Sequence, residues 1–250
     1  MKQKMSRDVS AFTRVELLVV IAVLMVVIVT MLLPNLAGSR KATRITCIFN
    51  LKEIGTGYRL WAGDHGDFMP PEQTVSNGGW KELLGNADQG SDCWTNYAIM
   101  ANELGQSPKL LVCPEDTRRP AMDFAIDFKD NTHLSYFVGV SAIAHSPNSL
   151  LGGDRNLGPG TVPDPNYGYS PKNGKGNDVA VPISGPVSWS LKIHSEGNPA
   201  GAGNILLGDG SAQQVSSAGF VGDWLSHAEA TTNWPASHIP SSPSIRLVFP

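Results

Sequence analysis

Hydrophobic positions are distributed along this chain in three regimes. From Leu17 to Leu33 the residues are apolar without interruption apart from Thr30, the pattern of a helix surrounded by lipid or by other helices. From Ile45, apolar residues recur at spacings of three and four: Ile48, Leu51, Ile54, Tyr58 and Trp61. Arg40, Lys41, Arg44, Lys52, Glu53 and Arg59 fall mostly off that stripe. Together the two segments predict one long helix from about Phe12 to Ala62, kinked near Pro34. The third regime is short and β-like. Leu134 to Val140 is rich in β-formers, and Val187 to Ile193 alternates apolar with polar. The runs Asn204–Gly208 and Ser211–Val215 flank Asp209-Gly210, a strong hairpin signal.

Between these strands, residues 146–186 are dense in Gly, Pro, Asn and Asp and predict a long surface excursion. Trp224, Trp234 and the run Ile245 to Phe249 predict a last apolar segment docking on the sheet. The expected fold class is α+β, a long N-terminal transmembrane helix packed on an antiparallel sheet body with long loops. The expected division is a leader over 1–11, a transmembrane or filament-core helix over 12–33, an amphipathic continuation over 34–65 and a globular body over 66–250.

The apolar run is long enough to matter. Val15 to Leu33 would extend about 28 Å as a helix, enough to cross the hydrocarbon core of a bilayer. A cleaved secretory signal has a shorter apolar region, and the nearest small-residue site, after Ala37, has Asn35 at the wrong place. Basic residues stand on both sides of the run, so charge alone does not orient it. Glu16 is the anomaly, a carboxylate at the mouth of the run whose burial in hydrocarbon costs on the order of 2–3 kcal/mol. Either it meets a partner or it reaches back to the interface.

Composition narrows the classes further. Only 16% of the 250 residues are charged, while Gly and Pro are abundant at 26 and 18, which fits a turn-rich body. The first 11 residues hold three basic residues and one acidic, a net of +2, leaving −5 for the rest of a chain whose formal charge is −3. No basic stripe suggests a nucleic-acid partner. Cys47, Cys113 and Cys93 show no C-x-x-C pairing and no nearby His, which argues against a structural zinc site. A disulfide and three buried thiols both remain open.

The N-terminal segment, with Lys2, Lys4 and Arg7 before Ala11-Phe12-Thr13-Arg14-Val15-Glu16-Leu17-Leu18, resembles the signature of the type IV pilin and type II secretion pseudopilin superfamily. That resemblance implies cleavage between Ala11 and Phe12 by a prepilin peptidase, N-methylation of Phe12 and a leader facing the cytoplasm. It also implies insertion in the inner membrane with the body outside the cytoplasm, and assembly with like subunits. In such a filament the new amine of Phe12 pairs with Glu16 of a neighbour, which fixes register because a buried charge left alone is costly. The segment Cys47-Ile48-Phe49-Asn50-Leu51-Lys52-Glu53-Ile54-Gly55 is similar to the "C-x-x-N-L-K-x-I-G" stretch of a large pilin-like subgroup whose bodies carry a domain of unknown function. The turn Ala62 to Pro70 and the "CP" stretch Leu111 to Asp116 extend the likeness. It implies a Cys47–Cys113 disulfide joining helix to sheet, with Cys93 as the spare.

The same subgroup has an "H-x9-D-G" motif, which His194, Asn204, Asp209 and Gly210 resemble within the hairpin region 194–215. Here fourteen residues separate His194 from Asp209, and Ser211 replaces a second His. A structural hairpin with a capping His and a ligand site are both open readings. Asp64, His65 and Asp67 read as a helix-ending turn. Calcium is retained as a secondary candidate through Asp154, Asp164 and Asp178, which lack a 1-3-5 ligand spacing. No G-x-S-x-G, H-E-x-x-H or P-loop is present, so no enzyme activity or organic cofactor is expected.

Overall fold

The computed structural model describes residues 13–84, 93–144, 146–171, 181–183, 185–195, 198–228 and 245–250; for residues 32–42 only the backbone is described. The chain divides into two units, 1–42 and 43–250. Helix α1 (Arg14–Asp64) runs from the first into the second. Its backbone stays helical through Pro34, which transmembrane-type helices tolerate.

In the first unit, residues 14–31 are apolar and long enough to cross a membrane by length and composition, and none of those side chains is buried among the described residues. The start of α1 is a capping box. The Thr13 carbonyl takes the first helical bond from Leu17 N. Glu16 N donates to Thr13 Oγ1 at 3.3 Å, while Thr13 N donates back to Glu16 Oε2 at 2.8 Å. Two orphan donors of the helix end are thereby satisfied reciprocally.

In the second unit the buried stripe of α1 is Cys47, Leu51, Ile54, Tyr58, Trp61 and Ala62. The observed face is rotated from the expected one at its start, because Ile45 and Phe49 lie on the outside, each more than half exposed. The helix ends at Asp64 in a turn where Gly66 and Asp67 take positive φ. His65 stacks on Trp61 with ring centres 3.7 Å apart, and its Nδ1 lies 2.7 Å from the Trp61 carbonyl oxygen.

The body is an antiparallel sheet. Its strands are β1 (Tyr136–Gly139), β2 (Leu150–Asp154), β4 (Val181–Ile183), β6 (Ala202–Leu207), β7 (Ala212–Ser216) and β8 (Ile245–Val248), in the order β4-β8-β1-β2-β6-β7. A second, two-stranded sheet pairs β3 (Leu157–Pro159) with β5 (Val187–Trp189). One face of the main sheet packs on α1 through Tyr136, Val138 and Leu206, and the other gathers Phe137, Ile205, Leu247, Trp189 and Phe249. The chain is α+β.

Three expectations need correction. The stretch 146–186 is not simply a surface excursion, because it supplies β2, a fully buried strand inside the main sheet. Its Gly152-Gly153 step reads as a loop in sequence but is demanded by packing. A Cβ on Gly153 would come 2.7 Å from both the Asn204 carbonyl oxygen and the Phe137 ring. The final apolar segment does not merely dock; β8 lies within the sheet between β4 and β1. The alternating run from Val187 is a strand only to Trp189, and Ile193–Ser195 forms a short 3-10 turn.

The β6–β7 hairpin forms where Asp209-Gly210 predicts it, with Asn204 opposite Gln214. Only Gly210 takes positive φ, at 83°. Gly210 N donates to the Leu207 carbonyl oxygen, and Leu207 N to that of Ser211. This is a type I turn followed by a left-handed glycine, rather than the two-residue primed turn that Asp-Gly also serves.

Candidate functional site

The Cys113-Pro114-Glu115-Asp116 segment ties three parts of the body together. Cys113 is joined to Cys47 of α1 in a disulfide spanning 66 residues of sequence. Cys93 is a buried thiol whose Sγ faces the carbonyl oxygens of Tyr136 and Val248.

Glu115 holds His194. Its Oε2 lies 2.9 Å from His194 Nδ1, and its Oε1 accepts from Thr43 Oγ1 at 2.6 Å. Arg44 closes the group, with Nη2 donating to the His194 carbonyl oxygen at 3.2 Å and Nε 4.0 Å from Glu115 Oε1. A carboxylate on Nδ1 fixes the imidazole's orientation. The other ring nitrogen, Nε2, faces Cys113 Sγ at 3.4 Å and Asp154 Oδ2 at 3.5 Å. His194 and Asp154 are both wholly buried.

Asp154 ends β2 beneath α1. Its Oδ2 accepts from Asn204 N at 2.7 Å, whereas its Oδ1, like the side-chain amide of Asn204, has no hydrogen-bond partner among the described residues. Burial pushes the Asp154 carboxyl up to about 6, against the pull of His194 and of the Asn204 N–H. Nothing apolar about the surroundings requires two carboxylates and a histidine here. The cluster is a polar island in the helix–sheet core, and its members depend on one another for compensation.

Asp116 makes the third tie. It accepts from Arg155 Nε at 2.7 Å and Nη2 at 2.8 Å, a bidentate pair with both side chains essentially inaccessible. Ser135 Oγ adds a third donor at 2.7 Å, and the Arg155 guanidinium lies 3.6 Å from the centre of the Tyr167 ring. Burial alone would raise the Asp116 carboxyl, but Arg155 and Ser135 overcome it and hold the group below the usual carboxylate range. Arg118 is the neighbouring buried cation, donating to the carbonyl oxygens of Asn131, Leu134, Pro171 and Pro250. Burial draws it down to about 10.

The residues expected at the hairpin motif do not form one site. His194 binds Glu115, while Asp209 Oδ1 accepts from Ser211 N within the turn at 2.8 Å. Gly210 packs against α1, and the Asp209 carbonyl oxygen accepts from Arg59 Nη1 at 3.2 Å. Asn204 connects the two regions through β6. Of the calcium candidates, Asp154 belongs to the buried cluster, Asp164 accepts from Asn166 N in a local turn, and Asp178 lies outside the described residues. The structure therefore does not gather them as a set among the described residues. Ala11 and Phe12 also lie outside those residues.

Sequence reading missed Glu115 and Asp154 as partners of His194. They are separated by 79 and 40 positions from it, and neither sits in a recognisable spacing. The Thr13-x-x-Glu16 capping box, by contrast, is visible in the letters. Comparison with protein-family profiles, curated proteins and solved structures returned no match.

Proposed function

We propose that this chain is a pilin-like structural subunit, inserted in the inner membrane and assembled into a type II secretion or type IV pilus-like filament. A prepilin peptidase cuts between Ala11 and Phe12 and methylates the new amine, and like subunits are its filament partners. The observation that carries the reading is the first half of α1. From Val15 to Met31 it is apolar with Glu16 the only acidic residue, and every side chain there is exposed among the described residues. So large an apolar surface needs lipid or neighbouring helices around it. In a packed filament the Glu16 carboxylate pairs with the Phe12 amine of an adjacent subunit, which sets the stagger between helices. The body contributes no step of chemistry in this reading; it is the displayed part of the subunit.

The test is Glu16→Ala in the native membrane. Loss of the subunit from sheared, pelletable fibres, with unchanged membrane insertion, supports assembly through this carboxylate. Unchanged incorporation contradicts it.

A second reading rests on the capping box. Because Thr13 already satisfies Glu16, the carboxylate does not need a neighbour, and the chain would then be a membrane-anchored binding domain that never polymerises.

A further inference from the structure

We propose that Cys47, Cys113 and His194 form a zinc(II) site when the disulfide is open, with Asp154 as the nearest carboxylate for the fourth position. The disulfide and the metal site are alternative states of the same two sulfurs. The donor atoms of the two cysteines and the histidine all lie within 4.8 Å of one another, and all three residues are buried. Zinc takes sulfur at about 2.3 Å, nitrogen at about 2.05 Å and carboxylate oxygen at about 2.0 Å in a tetrahedron. The edges of such a tetrahedron are about 3.5 Å from sulfur to nitrogen and about 3.3 Å from nitrogen to oxygen. The corresponding separations are 3.4 Å from Cys113 Sγ to His194 Nε2 and 3.5 Å from that nitrogen to Asp154 Oδ2. The two sulfurs must part, and Asp154, which stands outside the 4.8 Å group, must turn toward them to complete the tetrahedron.

The surroundings have the features of a metal centre's outer layer. Glu115 holds Nδ1, which leaves Nε2 pointing at the sulfur, the carboxylate–histidine arrangement that orients zinc ligands. Glu115 is itself fixed by Thr43 and Arg44. Asp154 keeps one oxygen without a hydrogen-bond partner among the described residues although it is wholly buried. A buried carboxylate in that condition is costly unless a cation compensates it.

The interconversion balances with a dithiol reductant. One reductant thiolate attacks a sulfur of the Cys47–Cys113 bond, a mixed disulfide forms, and the second reductant thiol resolves it. Two electrons pass to the protein sulfurs, and the reductant leaves as a disulfide. The two protein thiols then release their protons to solvent as zinc binds the thiolates.

The full chain in detergent, reduced with a phosphine under anaerobic conditions, is titrated with cobalt(II) chloride and then zinc chloride. The expected result is a single equivalent of cobalt with thiolate charge-transfer absorption and the intense visible bands of a tetrahedral ion, bleached by zinc. The oxidised chain gives neither. Cys93→Ser keeps the spectrum, Cys47→Ser and His194→Ala lose it, and Glu115→Gln weakens zinc binding by roughly 10–100-fold. A reduced chain with unchanged circular dichroism but no cobalt–thiolate band overturns the proposal, as does a band that depends on Cys93. If reduction unfolds the body, refolding on addition of zinc supports the site, and failure to refold overturns it.

Discussion

Gly55 of α1 and Gly210 of the β6–β7 turn are in backbone contact. A Cβ at Gly55 would stand 3.0 Å from Gly210 Cα, 3.1 Å from the Gly210 carbonyl oxygen and 2.8 Å from Leu206 Cδ1. Two segments far apart in sequence, the Asn-Leu-Lys-x-Ile-Gly stretch and the Asp-Gly turn, are thus the two sides of one close approach. The turn can sit there because Gly210 adopts a left-handed conformation at no steric cost.

Gly55→Ala should therefore destabilise the body by about 1–3 kcal/mol, since the Gly210 backbone as well as the Leu206 side chain stands in the way. Gly63→Ala, where among the described residues nothing outside the helix's own backbone would lie within 4 Å of the added Cβ, is the control. It should be neutral or stabilising by up to about 1 kcal/mol, because alanine is the better helix former. Thermal unfolding of the two variants side by side reads the difference.

The Cys47–Cys113 bond closes a loop of 66 residues, for which the chain-entropy account gives about 4 kcal/mol. The double variant Cys47→Ser/Cys113→Ser, measured in a chelator, should lose stability on that order. Denaturant unfolding checks it, and Cys93→Ser should move the midpoint far less.

Acid should act through Asp116. Its folded-state pKa lies below the unfolded value because Arg155 and Ser135 overcome the effect of burial. The stabilisation is therefore complete above the ordinary carboxylate pKa of about 3.9 and is lost as pH falls through the lower folded value. Asp116→Asn should flatten the acid limb of the stability–pH curve. At neutral pH it should cost roughly 3–5 kcal/mol, since Arg155 is left as a buried charge without its carboxylate.

Glu16 has two candidate partners that a single substitution separates. Glutamine preserves the capping box but carries no charge. If assembly depends on pairing with a neighbouring Phe12 amine, Glu16→Gln should be as defective in fibre incorporation as Glu16→Ala. Rescue by glutamine would assign Glu16 to the cap alone. Fibre shearing and immunoblotting give the readout.

Much of the fold was legible because periodicity reports burial. The amphipathic half of α1 and the β6–β7 hairpin follow directly from spacing and from Asp209-Gly210. Strand β2 was not legible. Leu150-Leu151-Gly152-Gly153-Asp154 carries loop letters, yet its glycines are small to admit Phe137 and the β6 backbone. The pairing of strand β8 is not legible because the short run Ile245-Arg246-Leu247-Val248 does not state its partners, and β4 and β1 are remote in sequence. The polar island was hidden for the same reason. Glu115, Asp154 and His194 meet only once α1, β2 and the turn after β5 are in place. Ile45 matched the helical period but faces outward, since period alone does not say where a stripe begins.

The most direct test of the central claim is the mass and N-terminal sequence of the mature protein from its native membranes. The account predicts a chain that begins at N-methylated Phe12, eleven residues shorter than the full sequence. A chain that keeps Met1, or one cut near Ala37, would contradict it.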